Sequence, residues 1–418
     1  MLGLMLSRRF AGLFWAQALG AVNDNLFKNA LVVLALYRLA HVGPVVVALA
    51  GGIFILPYAL VSGLAGQVAD KFEKAGLVRV TKWWELGVML LAAAGFLSGS
   101  VVALLVVLFG LGVQAAFFSP VKYGILPDLL APEDLVRGNG VIEAGTFLGI
   151  LVGTVAGGAL VVLPAGPQVV AVAGIMVSGL GLLAAYYVPR VPVAAAGLRV
   201  DWQIFRETAA LVRGARANRP VWLAILGISW FWAMGATVLA ELPTIVRDNL
   251  QAGGHVVTLL LLMFSVGVGA GSLACGWLLK GGASARYVPW MGLGISVFML
   301  DFADAAHSAG ALPGVHAVLG SWAGRRMLLD LFGLAVCGGI YSVPLYVICQ
   351  ARSAASHRSR MIAANNVMNA ASMVLAAVVA AGLFAACGSA PVILLVTAGL
   401  NLAVAGWMVG VSEKFHQT

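Results

Sequence analysis

The chain has 418 residues, 61% of them hydrophobic and only 10% charged, with a formal net charge of +9. A soluble domain carries roughly 25% charged residues, so soluble classes are excluded, nucleic-acid binders among them. Apolar runs of about 20 residues separated by short charged loops describe a polytopic membrane protein instead, and the positive charge reads as the Lys/Arg bias of cytoplasmic loops. Cys275, Cys337, Cys349 and Cys387 have no CxxC spacing and no His partners, and read as small packing residues. No metal-ligand cluster, phosphate loop or nucleophile–base constellation is visible, so no cofactor, metal or enzymatic activity is expected. No cleavable signal peptide is expected either, because Ser7, Arg8 and Arg9 precede a long first span.

Hydropathy predicts twelve helices, over about 10–38, 43–69, 79–98, 101–125, 138–164, 168–188, 220–246, 256–280, 286–304, 324–350, 359–385 and 389–411. The stretch 307–323, broken by Gly310, Pro313 and Gly314, reads as a loop. Of the 25 Lys and Arg residues, only Arg38, Arg247, Arg325 and Arg326 fall outside, and Lys28 within the membrane, if both termini are cytoplasmic. The rest, Lys74, Lys82, Lys122 and Lys414 included, count as cytoplasmic, which predicts that orientation.

Span one contains the stretch QALGAVNDNLFKN at 17–29. Ionised groups in the bilayer core cost several kcal/mol, roughly 2.5–3.5 each on insertion scales, and face a bundle interior or a wet cavity. Gln17, Gly20, Asp24 and Lys28 are spaced 3, 4 and 4, which is one helical face. Asp24 stands four residues before Lys28, the favourable order for an acid–base pair. Two readings follow: the face binds a polar or zwitterionic substrate, or the pair neutralises itself and locks two helices together.

Span four ends SPVKYGIL at 119–126 and span ten ends SVPLYVIC at 342–349. Asn139 to Glu143 open span five much as Asn365 to Asn369 lie in span eleven, and SWFWAMGA at 229–236 echoes FWAQALGA at 14–21. The expected fold is an all-α membrane protein of twelve transmembrane helices in two six-helix halves, residues 1–188 and 220–418. Parallel repeats of this kind place a transport site between the halves at the midplane. They are joined by a cytoplasmic linker, 189–219, in which Trp202, Phe205, Ala209 and Val212 recur at helical spacing among arginines. That segment is either an amphipathic helix on anionic headgroups or a solvated tether.

After span two, GQVADKFEK at 66–74 resembles the loop signature of the major facilitator superfamily; in the second half Lys280 stands where the equivalent Asp would be. A closer resemblance runs through the NDN of span one, GQVADKF at 66–72, SPVKYGILPDL at 119–129, GNGVIEAGTFLGILVGTVAGG at 138–158, FSVGVGAGSL at 264–273 and IAANNVMNA at 362–370. These stretches are similar to the bacterial lysophospholipid transporter family, including members fused to a 2-acylglycerophosphoethanolamine acyltransferase. The resemblance implies a flippase of the bacterial inner membrane. It would move lysophosphatidylethanolamine-type lipids from the outer to the inner leaflet by alternating access, with lateral lipid access. No His heads an HxxxxD acyltransferase motif and the chain stops at Thr418, so transport alone is implied. The partners are then the lysophospholipid, the membrane lipids and a candidate separate acyltransferase, with a monomer expected. One departure stands out: where the family carries a basic residue in span seven, 231–243 reads FWAMGATVLAELP, with Leu239, Ala240 and nearby Glu241.

Under this reading Asp24 takes the ammonium and Lys28 the phosphate of a headgroup, while Gln17, Asn23 and Asn25 supply neutral donors and acceptors. Asn25 bonding a facing helix is the alternative. Lys122 and Tyr123, after the helix-breaking Pro120, meet phosphate on its way out, or Lys122 snorkels to inner headgroups. Asp70, Arg137, Asn139, Glu143, Arg358, Arg360, Asn365 and Asn369 form an expected inner gate, with Asp70 capping a neighbouring helix. Asp301, Asp304, Arg325, Arg326 and Asp330 are either an outer gate or solvated helix ends. Gly145, Gly149, Gly153 and Gly157 in span five, with Gly267 and Gly271 in span eight, read as a sliding seam between the halves or as static packing. Two rival functions remain: a proton-coupled exporter of small amphiphiles or drugs, with Asp24 or Glu143 protonated, and a non-transporting membrane partner of an acyltransferase.

Overall fold

A computed structural model describes residues 2–38, 43–280, 282 and 284–411, with side chains omitted at residue 2 and over 36–48. Backbone polar groups in hydrocarbon must be satisfied within the segment, which leaves the helix as the spanning unit for these runs. Twelve long helices result: α1 (Ala11–Arg38), α2 (Gly43–Lys71), α3 (Lys74–Ser98), α4 (Val101–Leu129), α5 (Leu135–Val161) and α6 (Gly166–Tyr186), then α7 (Arg219–Thr244), α8 (Gly254–Leu278), α9 (Val288–Ser308), α10 (Trp322–Ala351), α11 (Arg358–Cys387) and α12 (Ala390–Val411). Among the described residues, eleven helices are long and apolar enough to cross a membrane by composition; α1, with Asn23, Asp24, Asn25, Lys28 and Asn29 at its middle, is not in that set. Local chemistry sets several ends. The Glu73 carboxylate accepts the Ala75 and Gly76 N–H groups at the start of α3, Gly99 closes it at φ +66°, and Ser321 caps α10.

The bounds correct the sequence reading at two charged places. α3 begins at Lys74, not near 79, which adds Lys74 to the helix and sets Lys82 more than two turns into it. α4 runs on to Leu129, past the expected end near 125, so Lys122 lies well inside it. The positive-inside count therefore loses Lys82 and Lys122, which belong to the interior; Lys414 lies outside the described residues. The 307–323 segment is not wholly loop, because Val315–Gly320 form a short helix.

Within the first half α1 packs on α5 and α6, α2 on α4, and α3 on α4 and α6; within the second, α10 packs on α8 and α9, α7 on α11, and α9 on α12. Between halves, α2 meets α11 and α5 meets α8, the pairing a parallel repeat demands. The glycine stripes do not line that boundary. A Cβ at Gly149, Gly153 or Gly157 would strike the backbone of α1, at Ala18, Val22 or Leu26, and one at Gly145 would meet Phe14 and Gln17. Gly267 and Gly271 abut Phe332 and Val336 of α10 in their own half. They are close-packing faces within each half, so the sliding seam is not where the spacing suggested.

The linker holds a helix, Ile204–Ala217, which packs on α2, α7 and α11. Its buried side is Leu211 and Ala215. Trp202, ahead of the helix, and Phe205 point outward at 73% and 82% exposure. Gln67 of α2 grips Asp201 from both sides, its Nε2 donating to the Asp201 carbonyl (3.2 Å) and its Oε1 accepting the Asp201 N–H (2.8 Å). Asp201 accepts in turn from the Gln203 N–H and the Arg206 guanidinium, which holds its carboxyl below the usual range.

Candidate functional site

A cavity of about 320 Å³ lies between the halves. The face of α1 expected from its spacing turns into it: Gln17, Gly20, Asp24 and Lys28 all line the wall, with Asn25 beside them. Gln17 is fixed there, donating to the Ile142 carbonyl (3.2 Å) and accepting from Thr146 Oγ1 (3.0 Å). Asn25 turns to its own helix, its Nδ2 donating to the Ala21 carbonyl (2.8 Å), and among the described residues it bonds no facing helix. Asn23 is on the opposite face, fully buried, with Nδ2 on Glu85 Oε1 (3.1 Å), and does not reach the cavity.

Asp24 and Lys28 both line the cavity but form no ion pair within 4.0 Å, so the self-locking pair is not formed. Asp24 Oδ1 is buried without a hydrogen-bond partner, and Lys28 Nζ stands 5.6 Å from the centre of the Phe54 ring. Lys122 and Tyr123 reach the cavity from α4, with Lys122 Nζ 4.5 Å over the Tyr123 ring. Sequence reasoning missed Lys82 of α3, which also lines the wall and pairs with Glu85 at 2.5 Å. The signal was there: an acid and a base three residues apart, Lys82 and Glu85, inside a span. The second half contributes only neutral groups, Trp232, Tyr346, Asn366, Asn369, Ala370 and Met373.

The floor of the cavity is aromatic and joins the halves. Tyr123 and Tyr346 stack face to face at 4.6 Å and 9°, the two tyrosines of the repeated α4 and α10 motifs. Tyr123 Oη donates to the buried Glu143 (2.5 Å), and Trp232 Nε1 to Tyr346 Oη (2.9 Å). Ser119 Oγ donates to Asn366 Oδ1 (3.1 Å) across the boundary. Below, toward the linker, Asn139 and Gln350 exchange both amide hydrogen bonds, at 2.8 and 2.9 Å. Asp128 takes Arg358 and Lys74, each at 3.2 Å. Asp70, fully buried, accepts the Ser359 N–H (3.0 Å), the Arg360 N–H (3.3 Å) and Arg360 Nε (3.1 Å), so a carboxylate of α2 caps α11.

Four expected gate residues, Asp70, Asn139, Arg358 and Arg360, thus meet across the halves. Glu143 is one step removed, through Tyr123. Arg137 is not among them: it is half exposed in the first turn of α5 and pairs at 3.6 Å with Asp134 just ahead of that helix. Asn365 is buried in α11, and Asn369 faces the cavity, accepting from Ser229 Oγ (2.8 Å). Among the described residues, every hydrogen bond between the halves lies at the cavity floor or on its linker side. Asp301 and Asp304 pair with Arg326 inside the second half, and so do not bridge the far end. Arg325 turns back to the Ser321 carbonyl. Asp330 is buried in α10 of that same half.

Twelve helices in two halves, around a charged cavity sealed at one end by cross-half polar contacts, define a multi-pass membrane transporter. Residues 13–377 match the family profile described as Major Facilitator Superfamily. The lysophospholipid transporter LplT of Serratia proteamaculans (strain 568) is 30% identical over 363 residues, 83% of this chain and 81% of that one. The LplT of Yersinia pestis (strain Pestoides F) is 29% identical over 360 residues, 83% and 80% of the two chains. The chain belongs to the major facilitator superfamily and, within it, to the lysophospholipid transporter family. Solved structures agree on the fold: the human organic anion transporter MFSD10 (TETRAN) superposes with TM-score 0.76 at 15% identity, over 95% of this chain and 98% of that one. The outward conformation of FucP gives 0.73 at 14%, over 98% and 99%.

Proposed function

We propose that the protein carries lysophospholipids of the phosphatidylethanolamine type from the outer to the inner leaflet of a bacterial inner membrane. The observation that carries this reading is the cavity wall: among the described residues, Lys28 and Lys122 have no carboxylate within ion-pair distance, and Asp24 has a buried oxygen without a hydrogen-bond partner. A phosphate and an ammonium on one small headgroup complete both needs by charge-assisted hydrogen bonds. A substrate of one charge sign completes only one.

The tail needs hydrocarbon throughout. Exposing it to water costs about 0.8 kcal/mol per CH2, on the order of 12 kcal/mol for a 16-carbon chain. That outweighs any gain a cavity of this size supplies, so the lipid enters sideways with its tail still in the bilayer. α2 and α11 support such a path. Beyond Ala370 no residue of α11 is buried, a Cβ at Gly51 or Gly52 of α2 would meet nothing, and Phe54, Ile55 and Met373 of the same two helices line the cavity. The arginine-rich linker supports a cytoplasmic linker end. The sealed end then faces the cytoplasm, and the unsealed cavity faces the outer leaflet. A separate acyltransferase would consume the delivered lipid.

The test is uptake of labelled lysophosphatidylethanolamine by spheroplasts expressing the protein, against vector alone. Uptake above vector is expected; equality refutes the lipid assignment. Collapse of uptake by a protonophore would instead favour a proton-coupled scheme through Glu143.

A further inference from the structure

Lys82 sits on α3 with Glu85 one turn further on, both side chains about 1% exposed and 2.5 Å apart. Two amides hold Glu85 as well: Asn23 Nδ2 on Oε1 (3.1 Å) and Gln114 Nε2 on Oε2 (3.3 Å). Gln114 is itself anchored to the Thr81 carbonyl (3.2 Å). The acid is therefore satisfied from three helices, α1, α3 and α4. The Lys82 ammonium has three N–H donors and spends one on Glu85. Its Nζ lies 5.0 Å from the centre of the Phe118 ring, at the cavity wall.

What brings that ammonium to the wall is Gly20. A Cβ there would lie 2.5 Å from Lys82 Nζ. The α1 face that carries Gln17, Asp24 and Lys28 thus has a hole at Gly20, one turn from Asp24, and the Lys82 amine fills it. A buried ion pair serving packing alone is poorly explained, because well-packed apolar residues do as well or better. It also has no use for a glycine window onto a cavity.

We propose that Lys82 is a phosphate-binding cation of the transport site, with Glu85, Asn23 and Gln114 as its positioning bracket and Gly20 as its opening. This rests on the phospholipid reading above. No charged residue of α7–α12 lines the cavity. The phosphate is therefore held by the first half alone and travels with it when the halves rock, while the second half offers only aromatic and amide contacts.

The experiment is equilibrium binding to the purified full-length protein in detergent. Radiolabelled lysophosphatidylethanolamine is displaced by the same unlabelled lipid or by the monoacylglycerol of identical chain, which lacks phosphate. Two variants are compared with wild type. Lys82→Met with Glu85→Gln removes both charges together. Gly20→Ala keeps both charges and pushes the amine from the wall, a move its long side chain permits. Wild type is expected to prefer the phospholipid. Each variant should lose that preference by about tenfold or more, with monoacylglycerol affinity unchanged, which a general loss of fold would not leave intact. Should the double variant fail to fold, Gly20→Ala decides alone. Wild-type preference surviving in Gly20→Ala overturns the role of Lys82 and leaves the lysolipid reading standing. A wild type indifferent to phosphate overturns both.

Discussion

Asp70 holds the two halves together at the linker end, and its removal has a calculable effect. It accepts two backbone N–H groups and one guanidinium N–H of α11, while itself fully buried. Hydrogen bonds to a charged group contribute about 1.5–3 kcal/mol, and breaking a buried ion pair costs about 3–5 kcal/mol. The Arg360 side chain is 18% exposed and keeps a bond to the Ser356 carbonyl, so it regains part of the loss. Asp70→Asn should then weaken the sealed state by about 2–3 kcal/mol, shifting the closed-to-open ratio about 30- to 150-fold. Because α2 and α11 belong to different halves, the loss falls on the sealed conformation and not on either half. Spin labels at Glu133 and His357, on the loops that flank the Asp128–Arg358 pair, report the separation in a cysteine-free background by electron–electron double resonance. Wild type should show one short distance; Asp70→Asn should add a longer population. An unchanged distribution in a folded variant would falsify the assignment of Asp70 as a conformational lock.

Three further outcomes follow from the geometry. Asp24→Asn should lower lysophosphatidylethanolamine uptake by about tenfold while sparing lysophosphatidylglycerol, which has no ammonium; parallel uptake assays with the two lipids check it. Gly153→Ala places a Cβ 2.2 Å from the Val22 carbonyl oxygen, a backbone atom that cannot swing away. It should cost about 1–3 kcal/mol by overpacking, whereas Gly382→Ala, with nothing within 4 Å, should be neutral or gain about 0.5–1 kcal/mol of helix propensity; thermal unfolding in detergent separates them. Tyr123→Phe removes the donor to a buried carboxylate that already has one unsatisfied oxygen, at a cost of about 1–3 kcal/mol. Adding Glu143→Gln should recover part of that loss in the same unfolding measurement.

Helical spacing made the α1 face legible, because charge in a span must turn inward and a 3-4-4 period fixes which residues turn together. The same spacing left open whether Asp24 and Lys28 pair with each other or face a substrate. Proximity along one helix permits a pair, yet cavity, ring and carboxylate compete for the ammonium in three dimensions. The glycine stripe was ambiguous for a related reason: a period identifies a smooth face but not the neighbour against it, and α1 rather than α8 occupies it, which is the static packing of the two readings. Asp70 was legible as a cap because the loop signature fixes its place beside a helix start. Of its partners, Arg360 was grouped with it in the expected gate, whereas Ser359, 289 residues away in sequence, was not. Lys82 was hidden by arithmetic at a boundary. With α3 started near 79, Lys82 fell in its first turn and was counted with the cytoplasmic lysines.

The uneven placement of charge between the halves constrains how the transporter turns over. The repeat carries Tyr123 and Tyr346 into one stack, and the polar seal below it draws on both halves. Symmetry is thus kept where the halves must part and meet again. It is broken in the cavity wall, where Asp24, Lys28, Lys82 and Lys122 all belong to the first half. A headgroup gripped from both halves would be torn between them as they rock, or would hold the seal shut by its own affinity. One gripped from a single half leaves the other free to rotate past it, at the cost of amide and aromatic contacts only. Alternating access then needs the seal of Asp70, Asn139 and Arg358 to break without releasing the lipid. Under the proposed site, seal and grip are separate, one shared between the halves and the other confined to one, and that separation would permit that order of events.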